Sequence, residues 1–155
     1  MYTDWFYSGS APDIAITVNP RIMYADKIQI DGFMDCVHGE LLRDTHGSKW
    51  RKKRSITVVM VPEIDSKRTT GSTPQLLHYH GWIWTENEKF QSMVLGGSYE
   101  KRMQNQIDTK LPVRKRGPVD VTAERFIGDG PWIHYAMKNV NAKSFNEGDI
   151  YLYKN

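Results

Sequence analysis

Leu76-Leu77-His78-Tyr79-His80-Gly81-Trp82-Ile83-Trp84 is apolar and aromatic, has no breaker before Gly81, and follows the turn-rich run Thr69-Thr70-Gly71-Ser72-Thr73-Pro74. That combination reads as a buried strand. In a strand, residues two apart point to the same face, roughly 7 Å from each other along the chain. His78 and His80 therefore present two imidazoles side by side. Two such rings on one rigid strand lack only a carboxylate to make a divalent-metal centre. A His-x-His triplet also arises as a packed or surface pair, so its meaning depends on what the rest of the chain brings to it.

Upstream, Ile56-Thr57-Val58-Val59-Met60-Val61 is rich in β-branched residues and reads as a central strand ending at Pro62. The loop from Asp65 to Pro74 returns the chain, so this strand and the histidine strand pair antiparallel. Ile14-Ala15-Ile16-Thr17-Val18-Asn19 reads as a first strand, closed by Pro20. From about Ala25 to Asp44, Ile30, Phe33, Met34, Val37 and Leu41 recur at helical spacing, which predicts an amphipathic helix despite Gly32 and Gly39. Cys36 falls within it as a small packing residue. Downstream, Thr85 is an N-cap candidate for a short helix carrying Phe90, Met93 and Val94, which Gly96-Gly97 ends. Val119 to Ile127 holds another strand, Pro131 opens a further helix, and Ile150-Tyr151-Leu152-Tyr153 closes the chain as a final strand. The expected fold is α+β, a central antiparallel sheet of about five strands with helices packed on it, in a single domain over residues 1–155.

A length of 155 residues suits one domain with room for a real core. Hydrophobic residues at 39% and charged residues at 25% describe an ordinary globular chain. No apolar run approaches membrane-spanning length, and Met1-Tyr2-Thr3-Asp4-Trp5 lacks the pattern of a signal peptide. The single Cys36 excludes an internal disulfide and any multi-cysteine zinc site. The expected compartment is the cytoplasm, or the nucleus of a eukaryotic host, with no membrane partner. The net charge of +3 is modest, but the cations are concentrated in Lys49-Trp50-Arg51-Lys52-Lys53-Arg54 and in Arg114-Lys115-Arg116. Basic blocks beside an aromatic fit a nucleic-acid backbone, where Lys and Arg displace counterions. Solvated loops carry the same composition, so the blocks support a partner without identifying one.

The helix opened by Pro131 carries Trp132-Ile133-His134-Tyr135-Ala136-Met137-Lys138-Asn139, in which Tyr135 and Lys138 are neighbours on one face. A tyrosine nucleophile needs its proton removed, a nearby cation or metal to favour phenolate, and help in offsetting charge on the phosphate it attacks. A buried helix tyrosine is otherwise a core residue. A first strand containing Thr17, a later His-hydrophobic-His strand and a Tyr-x-x-Lys helix follow one another between Ile14 and Val140. This order resembles the HUH endonucleases, specifically the single-tyrosine rolling-circle replication initiator (Rep) proteins.

The resemblance implies a sheet of the HUH type, with His78 and His80 as metal ligands, Tyr135 as nucleophile and Lys138 as the cation that positions the phosphate. It also implies a third ligand near the strand preceding the histidines. Glu63, just past that strand, is the best match, with Asp65 behind it and Asn139, four residues beyond the tyrosine, as a further candidate. Thr17 belongs to the first-strand motif. The implied cofactor is Mg2+ or Mn2+, and the implied reaction is nicking and joining of single-stranded DNA at an origin sequence or hairpin. Lys49 to Arg54 and Arg114 to Arg116 would follow the DNA backbone, with Trp50 available for stacking. The chain has no Gly-x-x-x-x-Gly-Lys-Ser/Thr loop, so a host or replicon helicase and polymerase would come from other chains. The competing expectation is a non-catalytic single-stranded nucleic-acid-binding module, with Tyr135 in its core and the histidines free of metal.

Overall fold

Alternation along the first strand separates the two faces of the sheet. In β1 (Ile14–Asn19), Ile14, Ile16 and Val18 are buried on one face, while Ala15, Thr17 and Asn19 take the other. The computed structural model describes residues 11–20, 27–50, 56–64, 77–110, 120–126 and 150–153. Its other elements are α1 (Lys27–His46), a 3-10 turn (Gly47–Lys49), β2 (Ile56–Ile64), β3 (Leu77–Thr85), α2 (Glu88–Val94), α3 (Tyr99–Lys110), β4 (Asp120–Arg125) and β5 (Tyr151–Tyr153). The strands form one antiparallel sheet in the order β4-β1-β3-β2-β5, which places the histidine strand at its centre. The α+β expectation and the five-stranded antiparallel sheet hold.

One face of the sheet carries the hydrophobic core. Ile14, Ile16 and Val18 of β1, Ile56, Val58 and Met60 of β2, Tyr79 and Ile83 of β3, and Val121 of β4 lie in a single cluster. The helices complete it with Ile30, Phe33, Met34, Val37 and Leu41 from α1, Phe90 and Val94 from α2, and Tyr99, Met103 and Ile107 from α3. The apolar residues at helical spacing thus form the buried face of α1. Cys36 is half-buried against the same cluster, where burial pushes its thiol up, as suits a packing residue.

Two boundaries depart from the sequence expectation for a local reason. β2 runs through Pro62 to Ile64. β5 pairs only with Val58 to Met60, so beyond Met60 the outer side of β2 has no partner among the described strands. Proline is tolerated at such an edge because its missing N–H removes no ladder bond there. The N-cap of α2 is Asn87, whose Oδ1 accepts from the Phe90 N–H at 2.9 Å. Thr85 instead ends β3, and its hydroxyl accepts from the Asn87 N–H at 3.1 Å. β4 lies within the stretch Val119 to Ile127, and β5 begins one residue after Ile150. An unexpected helix, α3, follows Gly97, whose φ of +79° suits glycine.

α3 also protects the sheet. Its Glu100 accepts from the Ala123 N–H at 2.6 Å, and Gln104 donates to the Val121 carbonyl at 3.3 Å. These bonds occupy backbone groups of β4, an edge strand that would otherwise offer them to another chain. Ion pairs join α3 to α1, Lys110 with the buried Glu40 and Arg102 with Asp44. Among the described residues, no helix is long and apolar enough to cross a membrane.

Candidate metal centre

Strand register assembles the site on the face opposite the described helices. Across β2 and β3, Glu63 stands directly opposite His78 and Val61 opposite His80. Across β1 and β3, Thr17 stands opposite His80. Alternation then puts Glu63, His78, His80 and Thr17 on the same face. The extension of β2 past Pro62 decides this placement. Glu63 is held inside a paired strand rather than just beyond its end.

The three side chains converge. His78 Nε2 lies 3.0 Å and His80 Nε2 2.5 Å from the same oxygen, Glu63 Oε2. The two rings are 5.2 Å apart between centroids and cross at 85°, so both direct Nε2 toward the carboxylate without stacking. One ligand atom from each residue can be chosen so that all three lie within 4.8 Å of one another. Glu63 and His80 are largely buried, with side-chain exposures of 12% and 13%, and His78 is more open at 23%. Burial alone would push the Glu63 carboxyl up. The hydrogen bonds and charge of His80, and then of His78, outweigh burial and hold it below its ordinary value.

The surroundings are mixed. Val59, Val61 and Trp82 share the face of the site and are buried, which gives the metal-binding groups an apolar setting. Trp82 is thus a packing residue. On the β1 side of His80, a cavity of about 20 Å3 is lined by Thr17, His80, Trp82, Thr122 and Glu124 among others. Thr17 Oγ1 lies 3.2 Å from His80 Nδ1, so His80 is held at both ring nitrogens.

The arrangement can hold a metal ion. Bonds of about 2.1 Å place neighbouring donor atoms of one ion about 3 Å apart, close to the spacings seen between these side chains. Two imidazole nitrogens and one carboxylate oxygen also form a common facial set for divalent transition metals. Among the described residues, no other group of three His, Cys, Asp or Glu side chains converges in this way.

Other expected site residues are placed less fully. Lys49 is exposed at the end of the 3-10 turn. Trp50 packs against the hydrophobic cluster, with the Arg43 guanidinium 5.3 Å above its ring, so part of its stacking surface is already used. Arg51, Lys52, Lys53, Arg54, Arg114, Lys115, Arg116, Tyr135 and Lys138 lie outside the described residues, as do Asp65 and Asn139. His38 stacks on Tyr153 at 3.9 Å between ring centroids. The contact of Thr17 with His80 was not readable beyond the motif, because it depends on the β1–β3 register. No family model, curated protein or solved structure matches this chain.

Proposed function

We propose that this chain is a metal-dependent enzyme of the HUH type that nicks and rejoins single-stranded DNA, starting rolling-circle-type replication of a virus or plasmid. The observation that carries the reading is the convergence of Glu63, His78 and His80 on one face of an antiparallel sheet. It is supported by the Tyr135-x-x-Lys138 motif later in the same chain. Two nitrogens with one carboxylate suit Mn2+ as well as Mg2+, which prefers shells of oxygen. What a bound ion supplies at such a centre is polarisation of a non-bridging phosphate oxygen.

The chain's own residues do the rest. Glu63, His78 and His80 form a rigid platform because they stand on two adjacent strands. Tyr135 attacks phosphorus, its phenolic proton leaves, and the bond to the 3′ oxygen breaks. The 3′ oxygen takes up a proton and becomes a free hydroxyl, while the 5′ phosphate stays on the tyrosine. Lys138 offsets charge on the phosphate. A later 3′ hydroxyl reverses the exchange and rejoins DNA, so the reaction needs no ATP. The basic segments Lys49 to Arg54 and Arg114 to Arg116 hold the DNA backbone.

A second reading draws on a specific observation. Glu63 already lies within hydrogen-bonding distance of both histidines, which is also how a purely structural network is arranged. In that case the protein is a non-catalytic single-stranded nucleic-acid-binding module. Incubation with a pool of single-stranded DNA and Mn2+, followed by denaturing electrophoresis and peptide mass spectrometry, separates the two. The enzyme reading predicts a covalent adduct on Tyr135, absent in EDTA and absent in Tyr135→Phe although DNA binding persists. DNA binding without an adduct supports the binding module. A full-strength adduct in Tyr135→Phe removes that residue as nucleophile.

A further inference from the structure

We propose that Thr17 positions His80 for metal binding, and that a hydroxyl serves there because it can partner either neutral tautomer of the ring. The proposal rests on reading Glu63, His78 and His80 as a metal centre. An imidazole that ligates through Nε2 is neutral and carries its proton on Nδ1. That proton needs an acceptor, and a fixed acceptor also sets the orientation of the ring. Thr17 Oγ1 lies 3.2 Å from Nδ1, directly across the β1–β3 pair.

The opposite tautomer suits the hydrogen bond to Glu63. His80 Nε2 is 2.5 Å from the Glu63 carboxylate, a contact made when Nε2 carries the proton. Nδ1 of the neutral ring is then an acceptor. A hydroxyl both donates and accepts, so Thr17 can satisfy either form, whereas a carbonyl could serve only one. Exchange between the forms moves one proton from Nε2 to Nδ1 and leaves the ring neutral.

Two features make the contact specific. Threonine is stiff at χ1, and Thr17 is held in a central strand paired on both sides. When its oxygen accepts from Nδ1, its own proton needs a partner as well. The adjoining cavity of about 20 Å3, lined by Thr17, Thr122, Glu124 and His80, has room for about one water. The site is therefore asymmetric. His80 is held by the sheet on the side away from Glu63, and among the described residues His78 is anchored through Nε2 alone.

Thr17→Val removes the hydroxyl at nearly constant shape, and Thr17→Ser restores it. Titration calorimetry with Mn2+ should show binding weakened about 10- to 100-fold in the valine variant, the usual cost of losing such a partner. The serine variant should recover most of the affinity, with the folding of each metal-free variant checked by circular dichroism. In the Zn2+-loaded wild type, nuclear magnetic resonance should find a slowly exchanging proton on His80 Nδ1. Wild-type affinity in Thr17→Val would overturn the proposal. If the valine variant fails to fold, a His80 Nδ1 proton exchanging as fast as that of free imidazole would overturn it instead. Absence of any metal binding by the wild type would overturn the metal centre itself, a failure distinguishable from that of Thr17.

Discussion

Glu63 is the residue on which the site turns, because it is shared by both histidines and lies at a boundary that sequence places badly. Its carboxyl is held below the ordinary value of 4.5, against the effect of burial, by His80 and His78. A carboxyl depressed on folding stabilises the folded chain fully above its unfolded value and loses that contribution as pH falls through the folded value. In EDTA, the wild type should therefore melt above Glu63→Gln near neutral pH, and the gap should close on acidification below pH 4.5. Thermal melts of both proteins across that range check this. A gap that stays constant down to strong acid would show that the charge of Glu63 does not stabilise the fold.

Among the elements, β3 carries most of the information and also the tightest packing. Gly81 interrupts its run of large side chains because a Cβ there would lie 2.0 Å from Met60 Sδ and 2.8 Å from Ile16 Cγ2. Both neighbours belong to strands flanking β3, so Gly81→Ala presses on the core at its centre. The expected loss is about 1–3 kcal/mol, the usual cost of overpacking, measured by urea unfolding. A loss near zero would mean that Met60 moves aside freely. β1 and α1 were legible in sequence because alternation or helical spacing is strong in each, and the histidine strand because its run is apolar and aromatic behind a turn-rich segment. α3 was not, because most of its twelve residues are polar, and only Tyr99, Met103 and Ile107, spaced four apart, mark its buried side. The end of β2 was misread because Pro62 is a breaker in isolation, whereas an edge position accommodates it. Asn87 and Thr85 both have capping side chains, and only the extent of β3 decides between them.

At the scale of the whole molecule, the sheet divides two tasks. One face holds the described helices and the hydrophobic cluster, and the other holds Glu63, His78 and His80. The sequence offered the two histidines as a pair and Glu63 as one of three candidates. Choosing among the three depends on β2–β3 register, which no motif encodes. The most direct measurement of the central claim is a calorimetric titration of Mn2+ into the wild type and into Glu63→Ala, His78→Ala and His80→Ala, with folding of each checked by circular dichroism. One ion per wild-type chain is expected, with an affinity reduced by more than about tenfold in every folded variant, since losing a ligand should cost at least as much as losing its outer partner. Unchanged Mn2+ affinity in all three variants would contradict the central claim and leave the trio as a hydrogen-bonded structural network.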